Sequence, residues 1–371
     1  MTKPIRDTNY LTWETFLVGG ISILTCLAFW VFVDKGTSLY TVSVTAAALS
    51  YVANHPHFLS SYMLLYWDNR HQVLTKPKFL WAAVMVPALI LLAIHSAVTL
   101  ENRVWMGYVI QFMFLTVGWH YVKQIFGCII VGSVRRNIFY SKIERNLILL
   151  SLYIIWLFNW VAPQTSKGEF EYYGINYASF AIPPFYNDIG YPIVLASVAI
   201  LVGMHLRKYV NEGVIPAPPA VTAFVALLIW YLPTFQHAGF SYLIPFFHSL
   251  QYLVFVTIYK TNETRSKTEK LSEREQRLTW LKSFLGYMTV AGVLGALFFN
   301  WLPKGLDTHS PMGSRSFGPT PWLAMFLLFI NIHHYFIDNV IWKSDNELVK
   351  KNLFAPAKST EERAEKLSAV S

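Results

Sequence analysis

Charge is what this chain most conspicuously lacks. Asp, Glu, Lys and Arg together make up 14% of its 371 residues, where a soluble domain carries roughly 25%. So few ionic groups point to lipid, not water, as the main solvent. Cysteine is nearly absent too. Cys26 and Cys128 each lie in or beside an apolar stretch, which excludes a disulfide framework and any CxxC site. There is no phosphate-cradling glycine loop of the P-loop kind, no GxSxG elbow and no HExxH helix, so the soluble-enzyme chemistries those motifs carry have no foothold. The polar stretch Met1 to Tyr10 has no cleavable-signal pattern, so the first apolar segment reads as a retained anchor.

What is present is apolar length. The chain is 54% hydrophobic and 16% aromatic, and Phe16–Val33, Leu39–Trp67 and Phe79–Leu100 contain no charge at all. A spanning helix needs roughly 20 such residues. The pattern predicts an all-α, polytopic transmembrane helix bundle of about ten spans. They fall near 15–33, 39–66, 79–100, 104–126, 146–162, 189–206, 216–236, 238–259, 283–302 and 321–342. A single membrane domain over 1–352 is expected, followed by a polar tail over 353–371.

The basic residues set the orientation. Arg70, Lys76 and Lys78, then Arg135, Arg136, Lys142 and Arg145, then Arg207 and Lys208, then the run from Lys260 to Lys282 fall on one side. The other side holds Lys35, Arg103, Lys167, Lys304 and Arg315, and the thin turn Gln236-His237-Ala238-Gly239 contributes nothing to it. The positive-inside bias then makes both termini cytoplasmic. The net charge of +9 is read as topology determinants, with membrane lipid and not nucleic acid as the partner. In a bacterium, the location would be the plasma (inner) membrane. The long aromatic connection 163–188, with Pro183-Pro184, is expected to fold over the outer face.

Ionisable groups inside membrane spans are rare and mark functional sites. This chain places Asn54-His55-Pro56-His57-Phe58, Trp119-His120-Tyr121, Phe247-His248-Ser249 and Asn331-Ile332-His333-His334-Tyr335 in four of them. With the expected topology those four spans run in one direction. At about 1.5 Å per residue their histidines lie about 15 Å above the cytoplasmic ends, with the end of the His120 span blurred by Lys123 and Gln124. Neutral imidazoles converging from several helices suit a transition metal such as iron, copper, zinc or manganese.

The ligand candidates are therefore His55, His57, His120, His248, His333 and His334, supplying four to six ligands to one ion or a close pair. Asp338, Gln124 and Gln251, about a turn further along, are expected to orient the imidazoles through their second ring nitrogens. Tyr121, Tyr252 and Tyr335 are the candidate proton donors. Pro56 and Pro245 remove helical hydrogen bonds and should open the turns near Val52 and Ser241. His55 and His57 stand about 200° apart on a regular helix, so both reach one cavity only if the helix distorts, whereas His333 and His334 are about 100° apart.

Single histidines scattered over several spans resemble the pattern of histidine-rich integral-membrane metal oxygenases. The His333-His334 pair is similar to the paired histidines of fatty-acid desaturases and hydroxylases, although the upstream histidine of their HxxHH box is missing. The multi-span arrangement is closer in style to the membrane carotenoid-cleaving dioxygenases found beside microbial rhodopsins, without their His-Gly…Asp opening motif. The resemblance implies iron, O₂ and an apolar substrate such as a lipid, isoprenoid or polyene, with an electron donor left unspecified. On this reading the shell is nearly all imidazole, and the protein is an oxygenase or oxidase. Two other readings stay open: a haem-binding electron-transfer or sensor protein with axial histidines, and a proton-coupled transporter using the histidines as a relay.

Overall fold

The computed structural model describes residues 12–33, 39–232, 238–309 and 315–353. The polar N-terminal stretch, the turn at Gln236-His237 and the tail beyond 353 lie outside the described residues. In chain order the helices are α1 (Trp13–Phe32), α2 (Leu39–Val52), α3 (Asn54–Met63), α4 (Pro77–Thr99), α5 (Arg103–Val134) and α6 (Lys142–Gln164). They continue as α7 (Phe185–Glu212), α8 (Pro218–Tyr231), α9 (Gly239–Lys267), α10 (Glu273–His309) and α11 (Pro321–Ile341). All but α2, α3 and α8 are long and apolar enough to cross a bilayer, which makes eight. Their outward faces carry large bare side chains, such as Val31 at 71%, Phe32 at 82% and Val210 at 78% exposure. In water that surface would drive aggregation; against hydrocarbon it costs nothing.

Two of the ten expected spans take a different form. The segment 39–66 is not one helix. Ala53 leaves helical geometry, with φ −120° and ψ −54°, because Pro56 cannot donate to the Val52 carbonyl and crowds it. The helix therefore ends at Val52 and a second one, α3, begins at Asn54. The segment 216–236 yields α8, whose 14 residues reach about 21 Å at 1.5 Å each, less than the roughly 30 Å hydrocarbon core. Pro245 acts likewise in α9: the helix is interrupted at Tyr242-Leu243 and resumes at Ile244 with the proline in its first turn.

The fourth span is longer than expected. α5 runs 32 residues to Val134, where Arg135 and Arg136 reach Glu14 at the start of α1, at 3.0 and 3.4 Å. Lys123 and Gln124, at which the sequence blurs the end of this span, line a cavity between the helices. The connection 163–188 contains an antiparallel hairpin that the helical expectation did not include, β1 (Glu169–Tyr172) and β2 (Ile175–Ala178). Its two-residue turn has Tyr173 at φ 47° and Gly174 at φ 85°, the left-handed pair that tight hairpins require.

Burial ranks the helices. The apolar window of α11 is 72% buried and that of α9 56%, against 17% for α7. The last long helix is thus the axis of the bundle: α3, α4, α5 and the end of α10 pack on it, and α9 reaches it through the Tyr252 side chain. Close approach of α10 to α3 depends on Gly295, where an added Cβ would sit 2.4 Å from the Cβ of His55.

Candidate metal centre

Four imidazoles meet in the interior, one each from α3, α5, α9 and α11. The ring centroids of His57 lie 6.3 Å from His120, 5.1 Å from His248 and 4.6 Å from His334. His120 in turn lies 4.9 Å from His248 and 4.8 Å from His334. All four are at most 4% exposed. One carboxylate joins them: the Asp338 Oδ2 is 3.3 Å from the Nε2 of His334 and 3.8 Å from the Nε2 of His120. One ligand atom from each of His57, His120, His334 and Asp338 lies within 4.8 Å of the others.

Local sequence explains the convergence. Each histidine has a polar residue four positions later: His57 and Ser61, His120 and Gln124, His248 and Tyr252, His334 and Asp338. Residues so spaced share a helix face, so four inward faces build two stacked tiers. In the second tier Ser61 donates to the Asp338 Oδ1 at 2.6 Å, and Tyr252 donates to the same oxygen at 3.2 Å. Because both tiers are in contact, α3, α9 and α11 run in the same direction here. His57 Nδ1 bonds the Ser249 hydroxyl at 2.9 Å; with that nitrogen as donor, the Nε2 lone pair is free.

The donor set fits a metal ion. His57 Nε2, His334 Nε2 and Asp338 Oδ2 are buried and have no hydrogen-bond partner among the described residues. An unpaired buried polar atom costs about 1–3 kcal/mol, and an ion accepting the three lone pairs removes that penalty. His120 and His248 oppose their Nε2 atoms at 3.0 Å. With metal–nitrogen bonds of about 2.0–2.1 Å, two nitrogens on one ion stand about 3.0–3.4 Å apart. The expected all-imidazole shell is corrected, since a carboxylate belongs to the cluster and contributes a compensating negative charge.

Other expectations are redistributed. His55 does not reach the cluster. It stacks on Phe299 at 5.1 Å and meets Asn300 at 3.3 Å, because even a broken helix does not bring residues two positions apart onto one face. His333 has both ring nitrogens occupied, by Tyr62 and the Ala82 carbonyl at 3.0 Å each, so it is a satisfied packing residue. Asp338 sits with the ligand atoms themselves. Gln124 and Gln251 touch no imidazole nitrogen: the Gln124 amide donates to the His248 carbonyl at 2.8 Å and to Gln251 at 3.2 Å, and Gln251 donates to the Val18 carbonyl. They hold the α9 backbone in place.

The three tyrosines divide in the same way. Tyr252 presents its hydroxyl to Asp338 and its ring to His57 at 4.1 Å. Tyr121 lies flat on His248 at 4.0 Å. Tyr335 stacks on His120 at 4.8 Å while its hydroxyl donates to Asn331. Ser61 and Ser249 were missed by sequence reasoning. The four-residue step from His57 and the adjacency to His248 were the available signals.

A cavity of about 580 Å³ reaches the cluster, with His120, Tyr252, Tyr335 and Asp338 among its lining. No family model, curated protein or solved structure matches this chain. Fold and site define the class on their own: a polytopic helical membrane protein with a buried histidine–aspartate cluster able to hold a metal ion.

Proposed function

We propose that this protein is a metal-dependent membrane oxidoreductase, an oxygenase or oxidase acting on a lipid-soluble substrate, with iron as the metal, O₂ as co-substrate and an electron donor still to be identified. The observation that carries the reading is the convergence of buried, unpartnered ligand atoms of His57, His334 and Asp338 with His120 at the inner end of a substrate-sized cavity. Pockets of 300–1,000 Å³ are typical of small-molecule sites. A bound transition metal supplies Lewis acidity and, for iron or copper, one-electron redox chemistry. His57, His120, His334 and Asp338 would hold it, with His248 as a fifth donor. Tyr252 is placed to hold or deliver a proton, since its hydroxyl bonds the Oδ1 of Asp338 and lines the cavity. Tyr121 and Tyr335 wall the site with ring faces that keep water from the imidazoles. The four rings pack directly on one another at 4.6–6.3 Å. That favours a bare ion over a haem, which needs a porphyrin-wide slot between axial ligands.

The test is elemental analysis of detergent-purified full-length protein beside His120→Ala and His334→Ala, each checked for folding by size exclusion. The reading expects about one redox-active metal per wild-type chain and almost none in the variants. A wild type without stoichiometric metal, after growth and reconstitution with iron, copper and zinc in turn, ends it.

A further inference from the structure

The cavity that ends at the cluster has chemically distinct ends. At the inner end stand His120, Tyr252, Tyr335 and Asp338, all buried. Apolar side chains of Trp119, Phe126, Ile130, Leu149 and Phe255 form its walls. Three cations, Lys123 of α5, Arg145 of α6 and Lys343 just beyond α11, line the same cavity. Several other cations at helix ends are neutralised, Arg135 and Arg136 by Glu14, Lys208 by Glu144 and Glu212, and Lys260 by Asp68 and Glu263. Among the described residues Lys123, Arg145 and Lys343 make no ion pair. Asp345, the one carboxylate at this outer end, is bonded to Lys78. Three elements thus bring positive charge to an apolar cavity, with Arg145 and Lys343 exposed at its mouth and Lys123 half-buried, beside the neutral polar groups of Asn146, Asn339 and Ser344.

We infer that the cavity binds an anionic amphiphile, with a phosphate or carboxylate headgroup resting on Lys123, Arg145 and Lys343 and its hydrocarbon chain lying along the apolar walls toward His120 and Asp338. A neutral polyene or sterol leaves the three charges unanswered, and a free inorganic anion leaves the apolar walls unfilled. At 1.5 Å per residue along the helices, Lys123 is about 5 Å and Lys343 about 14 Å from the imidazole tier. The inference rests on the oxidoreductase reading for the fate of the substrate, but the headgroup site stands or falls separately.

The experiment uses full-length protein in phosphatidylcholine nanodiscs and measures equilibrium binding of oleate, oleyl phosphate and oleyl alcohol, which share one chain. Inorganic phosphate serves as a competitor, and metal content is determined on the same samples. With roughly fivefold for each cation near a lipid surface, the two anionic ligands should bind about 100-fold tighter than the alcohol. Lys123→Gln/Arg145→Gln/Lys343→Gln should erase that preference without changing metal content, and Lys123→Arg/Arg145→Lys/Lys343→Arg should keep it. Equal binding of the alcohol overturns the proposal, and so does a preference that survives in the glutamine variant. Inorganic phosphate competing as strongly as oleyl phosphate shows a free-anion site and overturns it as well. A retained preference in protein that takes up no metal would sink the oxidoreductase reading while leaving the headgroup site standing.

Discussion

His120 and His248 face each other nitrogen to nitrogen at 3.0 Å, across the gap between α5 and α9. In the metal-free protein one imidazole donates an N–H to the lone pair of the other, and the same separation suits two nitrogens bound to one ion, about 3.0–3.4 Å apart. Metal affinity should separate the six candidate histidines into two groups. His57→Ala, His120→Ala, His248→Ala and His334→Ala should each lower bound metal more than tenfold. His55→Ala and His333→Ala should leave it within twofold of wild type. Inductively coupled plasma mass spectrometry on matched preparations decides this, and equal losses from both groups would contradict the cluster as drawn.

The serines behind the ligands should matter almost as much as the ligands. Ser61 holds the Asp338 Oδ1 and Ser249 holds the His57 Nδ1. Groups in such positions typically contribute 10–100-fold to metal affinity. Ser61→Ala and Ser249→Ala are expected to weaken metal binding in that range, measured by competition with a chelator of known affinity. An effect below twofold in both would argue that the ligands are held by packing alone.

Asp338→Asn keeps the shape of the side chain and removes its charge. The Ser61 and Tyr252 hydrogen bonds to the Oδ1 can persist, so the fold should survive while metal occupancy falls by at least tenfold. Far-ultraviolet circular dichroism and metal content, read on one sample, separate the two effects. Full occupancy in this variant would return Asp338 to an orienting role.

Packing between α3 and α10 offers a stability test away from the ligands. Gly295→Ala pushes a methyl into the backbone and Cβ of His55, an overpacking that should cost about 1–3 kcal/mol. Gly286→Ala, on the same helix with nothing within 4 Å of the added carbon, should be neutral or slightly stabilising. Apparent Tm values in detergent should rank Gly286→Ala at or above wild type and Gly295→Ala below it; the opposite order would be incompatible with the contact.

Outside the membrane, the Lys78 ammonium bonded to Asp345 holds that carboxyl below the usual carboxylate range. A depressed carboxyl stabilises the folded chain above its unfolded pKa, and that stabilisation is lost as pH falls through the lower folded value. The side chain of Asp345 is 64% exposed, so screening limits the pair to under about 1 kcal/mol. Asp345→Asn should lower apparent Tm slightly at pH 7, and the difference should shrink as pH falls through the lowered folded-state pKa of the wild-type carboxyl. A difference that grows on acidification would reverse the sign and refute the assignment.

Much of this was readable from residue order. Apolar runs marked the helices, and the two prolines marked the breaks at Ala53 and Tyr242. Four histidine-bearing segments marked the centre. What stayed hidden depended on rotation about helix axes. Nothing in the string separates His55 from His57, or His333 from His334, because the choice is made by how α10 and α4 press on them. Lys123 illustrates a different failure. A lysine late in an apolar run reads as the end of a span, yet α5 continues about three turns past it, and the side chain lines a cavity between the helices. The hairpin at 169–178 was obscured by its brevity, with four residues in each strand.

The ligands are contributed by α3, α5, α9 and α11, the last of these being the axis on which the others close. During synthesis the first donor is threaded into the membrane long before Asp338 leaves the ribosome. Until then the earlier imidazoles have no carboxylate and only a partial ring of neighbours. On the proposed reading the donor set is complete only once α11 is inserted, and a chain stopped short of α11 is expected to be inserted yet to lose the ion.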